Sequence, residues 1–271
     1  MASLQTIQKI GPILDLFTVE RPEWGVREVA TAVGIPRSSA HAVLASLVQT
    51  GLLHCRARGR YRIGWRVVEL AEALRGSVDV RSCAAPHLER LVDRFGETTH
   101  LAVLERGQVL YLDKVPGTHN ISVQGAQVGS RRHAHCTAVG KALLARLSDQ
   151  ELSRIVDQEP LRRFTPSTVT DPSRLRTELD RCRSTGYAMD LGESVHEVHC
   201  VAAPIRDDLG SVVAAVSMSV PSSRFRLRRD EMARAVLDTT RAVSRSLVDV
   251  AADTAPSRSL QEATDAYGSA S

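Results

Sequence analysis

The stretch VREVATAVGIPRSSAHAVLASLVQTGLLHCRARGRYRI, residues 26–63, decides how the chain is read. Val26, Val29, Ala30 and Val33 fall at i, i+3, i+4 and i+7, the spacing of one helical face, and Gly34 stops that short helix. Ile35-Pro36-Arg37-Ser38 is a tight connection. A second helix follows to about Thr50, with Ala40, Val43, Leu44 and Leu47 inward and Gly51 ending it. Two short helices around a glycine-containing turn form the helix-turn-helix pattern. Leu52–His54 and Tyr61–Ile63 then flank the turn CRARGR, which predicts a β-hairpin with arginines at its tip. Directly after a recognition helix, such a hairpin is a wing.

Charge supports that reading once it is divided along the chain. Residues 1–78 carry ten Lys and Arg against six Asp and Glu, whereas the remaining 193 carry 25 of each. The formal charge of +4 therefore sits on the N-terminal third. Residues 29–68 contain six arginines and no acid, which suggests a polyanion-binding head on a larger neutral body. In a helix-turn-helix the start of the second helix reaches base edges in the major groove. Arg37, Ser38, Ser39 and His41 hold those positions here, with Gln49 further along the exposed side. Arginine pairs with guanine, while serine and histidine bond base edges or phosphates. Each serine has a second reading as a helix cap. Arg56, Arg58, Arg60 and Arg62 suit phosphate or minor-groove contact better than sequence reading. The plain alternative for all of them is a solvated arginine face.

At 271 residues the chain is long for one small domain and comfortable for two. Its 43% apolar and 24% charged residues are those of a folded protein. No predominantly apolar stretch reaches the roughly 18 residues of a membrane span. The N-terminus MASLQTIQKIGPILDLF lacks the layout of a secretory signal. Five scattered cysteines with no CxxC pair suit a reducing cytoplasm.

Outward from the head, residues 3–17 are expected to form a helix and Pro22–Gly25 a loop. Helices are expected at 67–74, as a linker, and at 80–95, where Pro86 marks a kink or a restart. Strands at 98–105 and 109–115 would turn at Arg106-Gly107, and Ile121–Val123 would add a short strand. A helix is expected over Thr137–Leu147. Ser148 and Glu151 form a capping box, and Asp171-Pro172 opens another helix that ends near Gly186. Strands at 198–205 and 211–220 precede a final helix over 229–250. The division is thus a winged helix-turn-helix over 1–66, a linker helix over 67–78, a body over 79–250 and a mobile tail over 251–271. The body mixes helices with antiparallel strands and lacks βαβ alternation, which makes it an α+β domain.

Two segments of the body carry candidate chemistry. In HAHCTAVGKALLA (133–145) a turn feeds a helix whose first amides, at Thr137, Ala138 and Val139, are suited to a carboxylate or phosphate. In SVVAAVSMSV (211–220) Ser217 and Ser219 share one strand face beside the small residues Ala203 and Ala215, as ligand-orienting hydroxyls in a dry pocket or as solvent-facing groups. His133, His135 and Cys136, with His196, His199 and Cys200, would suit zinc only if the two segments converged. A nucleophilic Cys200 with His199 as base is disfavoured, since neighbours on a strand point to opposite faces.

The order of segments resembles the IclR family of bacterial transcription regulators over residues 3–248. The winged helix-turn-helix is followed by THLAVLERGQVLYLDKV (99–115), HCTAVGKALLA, FTPSTVTDP (164–172), GYAMD (186–190) and CVAAPIRDDLGSVVAAVSMSVP (200–221). The resemblance implies a GAF-like α/β effector domain joined by a linker helix to the DNA head. It implies dimers, often paired into tetramers, that repress or activate nearby operons on double-stranded DNA, and no cofactor. It also implies an effector pocket at Ala138, Val139, Asp190, Cys200, Ser217 and Ser219, with Ile121 as an apolar wall. The chain departs from the family's pattern at Ala42, where a basic residue is common. Gly192-Glu193 replaces an acidic pair, Glu197 stands where glycine is usual, and His196 and His199 are additions. The reading is a cytoplasmic, effector-controlled DNA-binding regulator, with a carboxylate effector suggested by the helix-start amides. Asp190 pulls against that effector unless it is protonated or accepts a bond from a ligand hydroxyl. The alternatives are a constitutive architectural DNA binder and an enzyme using Cys200.

Overall fold

The structure is a computed structural model that describes residues 2–76, 80–118 and 126–254. The chain divides into two compact units, residues 1–77 and 78–271.

The first unit contains α1 (Ala2–Leu14), β1 (Trp24–Gly25), α2 (Val26–Val33), α3 (Arg37–Gln49), β2 (Leu53–Arg56), β3 (Arg60–Ile63) and α4 (Arg66–Gly76). The first helix stops at Leu14, short of the expected 17, because Gly11 and Pro12 occupy its last turn and weaken it. Gly34 ends α2 in the left-handed region at φ 69°, where a side chain would be strained. The predicted hairpin forms with Cys55 opposite Tyr61 and His54 opposite Arg62. Residues 24–25, read as loop, add a third strand by pairing Trp24 with Tyr61. Two residues carry no periodicity, so only that pairing reveals the strand. Ile13, Val29, Ala40, Leu44, Leu47 and Leu53 make the core. Trp24 closes one side and donates its indole N–H to the Leu16 carbonyl at 2.7 Å.

The second unit contains α5 (Val80–Phe95), β4 (Thr98–Glu105), β5 (Gln108–Val115), β6 (Arg131–His133), α6 (Ala138–Leu144), α7 (Asp149–Gln158), α8 (Pro172–Thr185), β7 (Ala188–Leu191), β8 (Val198–Arg206), β9 (Val212–Pro221) and α9 (Ser222–Thr254). Its six strands form one antiparallel sheet in the order β6-β5-β4-β9-β8-β7. Alternation along β8 and β9 splits the core in two. Val201, Ala203, Ile205, Val216 and Met218 face α5 and α9. Ala202 and Ala215 face the side covered by α6 and α8.

The α5 helix runs unbroken through Pro86, held by burial of Ala84, Leu88, Leu91 and Phe95 on either side of the missing N–H. The last helix starts at Ser222, earlier than 229, as a first turn joined to the long segment at Arg228 (φ −131°, ψ 18°). It continues to Thr254, into the segment expected to be tail. The capping box of Ser148 with Glu151 and the Asp171 cap form as read. The expected strand at Ile121–Val123 lies outside the described residues.

Candidate functional site

In the head, α3 buries Ala40, Val43, Leu44 and Leu47 and leaves Arg37, Ser38, His41 and Gln49 exposed, with Ser39 half-buried. Pro36 occupies the cap position and no side chain caps the helix, so neither serine hydroxyl is spent on capping. The wing arginines separate into two kinds. Arg56 lies 3.3 Å from Glu23. Arg60 pairs with Glu28 at 2.5 Å and donates to the Glu23 carbonyl at 2.8 Å. Glu28 also accepts the Gly25 amide at 2.7 Å and Arg21 at 2.6 Å. These bonds, the Gly25 amide foremost, hold its carboxyl below the usual range. Arg58 and Arg62 form no ion pair among the described residues. Arg58 sits at the hairpin tip, exposed, in the left-handed conformation at φ 64°.

In the body, the face of the sheet under α6 holds a small, partly enclosed cleft. Strand pairing lays out its floor. Asp190 is opposite Cys200, Cys200 opposite Ser219, and Ala202 opposite Ser217, so these side chains share one face. Ser217 is 3% exposed and Ser219 6%, which rules out the solvent-facing reading. The small wall beside them is Ala202 and Ala215. Ala203 belongs to the opposite face, because its partner is Val216.

The Cys200 thiol lies 3.2 Å from the Ser219 hydroxyl, which lies 3.5 Å from His100 Nδ1. Burial drives His100 down to about 3, with the Lys114 charge adding to it, so this imidazole is neutral at any ordinary pH. Burial pushes the Cys200 and Tyr111 groups up, away from their anions. Asp190 is 2% exposed, and burial raises its carboxyl to about 7 despite the Glu193 amide it accepts at 2.6 Å.

Behind the cleft, Lys141 is 1% exposed and bonds Glu178, Glu193 at 2.5 Å and the Met189 carbonyl at 3.3 Å. Burial alone would lower its pKa, but the two glutamates outweigh that and raise it. This triad, with Lys141 and Glu193 buried and Glu178 half-buried, ties α6 to α8 and to the turn after β7. Gly140 permits the close fit on the other side of α6: a Cβ there would stand 2.2 Å from the Ala134 carbonyl oxygen.

A winged helix-turn-helix is thus followed along the chain by a sheet domain with a polar cleft. Residues 6–55 match the IclR helix-turn-helix domain, and residues 71–245 match the bacterial transcriptional regulator IclR C-terminal domain. The chain belongs to the IclR family. It is 32% identical to the HTH-type transcriptional regulator XynR of Escherichia coli over 83% of this chain and 89% of that protein. It is 33% identical to the HTH-type transcriptional repressor AllR of Escherichia coli over 90% of each. A crystal structure of an IclR homolog from Microbacterium hydrocarbonoxydans, complexed with 4-hydroxybenzoate, matches with TM-score 0.76 and 31% identity, covering 89% of this chain and 98% of that one. The protein is thus an IclR-type transcriptional regulator, with a DNA-binding head and an effector-binding body.

Of the residues read from the sequence, Ala138, Val139, Asp190, Cys200, Ser217 and Ser219 all line the one cleft. Ile121 lies outside the described residues. The two histidine clusters do not meet. His133 and His135 stack against Phe164 on one side, His196 is exposed, and His199 packs edge-on against Phe225 on the face away from Cys200. Among the described residues no group of three or more His, Cys, Asp and Glu is arranged to hold a metal. Thr137, read from the sequence for its amide, lines the cleft too, as do Tyr111 and Arg132, which were not singled out. Thr137 also caps α6, its hydroxyl accepting the Gly140 amide at 3.2 Å.

Proposed function

We propose that this IclR-family regulator binds its operator as a homodimer or dimer of dimers in the cytoplasm, and that a small carboxylate bound in the body changes its hold on DNA. The observation that carries this reading is the convergence of Asp190, Cys200, Ser217 and Ser219 in one half-apolar cleft, a design for orienting a small ligand. The 4-hydroxybenzoate complex of the Microbacterium homolog favours a carboxylate. In the head, Arg37, Ser38, Ser39, His41 and Gln49 are the base readers, while Arg58 and Arg62 grip phosphate. Arg56 and Arg60 contribute only by exchanging Glu23 and Glu28 for phosphate. The protein represses or activates by thermodynamic linkage: effector and DNA favour different members of one conformational ensemble.

Turnover is no part of this reading. Cys200 is a thiol held protonated by burial, hydrogen-bonded to a serine and without an adjacent basic imidazole, the opposite of an activated nucleophile. Among the described residues no helix is long and apolar enough to cross a membrane.

The test is fluorescence anisotropy on a duplex from the protein's own upstream region, against a scrambled duplex, over a salt series and with a panel of small carboxylates. Tight, salt-steep binding to the upstream duplex alone, moved by a carboxylate, is expected. Equal binding to both duplexes, unmoved by any ligand, would favour an architectural binder instead.

A further inference from the structure

The first turns of α9 carry a dense run of charge, RFRLRRDEMAR. Residues 224–234 hold five arginines and two acids, whereas the rest of the chain from residue 79 onward holds 20 basic and 23 acidic residues. The run is a local positive surplus on a body that is otherwise slightly negative. Its arginines differ in how firmly they are held. Arg224 is tied to the buried Glu97 by two bonds, at 2.5 and 2.9 Å. Arg228 pairs with Glu231 at 3.0 Å and Arg229 with Asp230 at 3.1 Å, both at the surface, where water makes such pairs weak. Arg226 is exposed and forms no ion pair among the described residues, and Arg234 reaches only the Asp230 backbone carbonyl, at 3.2 Å.

The same surface shows apolar side chains. Phe225 turns into the core, but Leu227 is 85% exposed beside the kink at Arg228, and Leu191, at the end of edge strand β7, is 47% exposed. Both leucines line one open groove with Arg226, Arg228, Arg229 and Arg234.

The chemistry of this groove selects its occupant. Nucleic acid would use the arginines, but Asp230 and Glu231 would repel its phosphates and the leucines would gain nothing from them. A second copy of the body laid on the groove by two-fold symmetry would set the arginines against themselves. A protein segment that carries both carboxylates and apolar side chains matches the charge and covers the leucines. We propose that the groove docks an acidic, leucine-bearing segment of another protein, with carboxylates on Arg226 and Arg234 and apolar side chains against Leu191 and Leu227. This gives the body a contact beyond the head's DNA and the cleft's ligand.

Fluorescence anisotropy on the full-length protein tests the docking site. The probe is a labelled peptide of alternating glutamate and leucine, beside one with serine for every leucine and one with lysine for every glutamate. Wild type is expected to bind the glutamate-leucine peptide about tenfold more tightly than the serine peptide, the scale of burying one leucine, and to leave the lysine peptide unbound. Arg226→Glu combined with Arg234→Glu should weaken the glutamate-leucine peptide by about ten- to a hundredfold, and Leu227→Ser by about tenfold. Melting temperature and affinity for the upstream duplex should stay as in wild type. Arg226→Gln with Arg234→Gln removes the charge without reversing it, and decides the matter if the glutamate protein does not fold. If the peptide fails to bind wild type, or binds the variants as tightly, the docking site falls. If the double variant loses affinity for a scrambled duplex in step with the peptide, the groove holds nucleic acid instead. If the variants change the mass of the assembly in light scattering, the groove is an interface between copies and the proposal falls.

Discussion

Asp190 binds its proton more tightly in the folded protein than in the unfolded chain, since burial lifts its carboxyl from 3.8 to about 7. Its contribution to stability is therefore complete below about pH 4 and is lost as pH rises through about 7. Asp190→Asn keeps an oxygen for the Glu193 amide and removes the ionisation. Denaturant melts should show the variant gaining on wild type by a few kcal/mol at about pH 8 relative to about pH 5. A second residue acts through its backbone. Glu197 is held at φ 64°, where the family usually places glycine, and its carbonyl accepts the Ser222 amide at 2.8 Å. Glu197→Gly should raise stability by about 1 kcal/mol in the same melts, because the left-handed conformation penalises a Cβ by about that much.

The wing is the element whose parts have separable jobs. Arg60 and Arg56 are fastened to Glu28 and Glu23, and hold β3 and β2 against the rest of the head. Arg58 and Arg62 are the ones available to phosphate. Arg62→Ala should weaken binding to all duplexes alike and lower the salt slope by about one. Arg58→Gly should do the same while stabilising the hairpin by about 1 kcal/mol, so affinity and melting temperature move in opposite senses. This separation was not legible in the sequence, where four arginines in seven residues look equivalent; Glu23 and Glu28 join them only once β1 pairs with β3. The helices were legible because α2 and α3 each present a clean apolar face and a glycine stop. The edge strands β6 and β7 were not, having three and four residues and too little alternation to read. Arg132 was hidden for that reason, within an RRH run whose inward member is set by pairing with Val109. The same dependence explains Ala203. A nine-residue strand is easy to find, but which parity faces the cleft is fixed by its neighbour's register.

For the whole molecule, the regulator reading makes a quantitative demand. If a carboxylate changes operator affinity by some factor, operator DNA must change carboxylate affinity by that same factor. Effector titrations with and without saturating operator duplex should return the two equal ratios, and unequal ratios would mean that a further equilibrium, such as assembly, takes part. Net charge belongs to this scale too, since the surplus lies in the head and the salt slope should be the same with and without the body's ligand. Finally, residues of both edge strands of the sheet line the cleft, Arg132 on β6 and Asp190 on β7. A ligand seated among them would tie the two edges of an open sheet to each other. Edge strands open most readily, so amide hydrogens of residues 131–133 and 188–191 should exchange more slowly together when the ligand is bound, although four strands separate them.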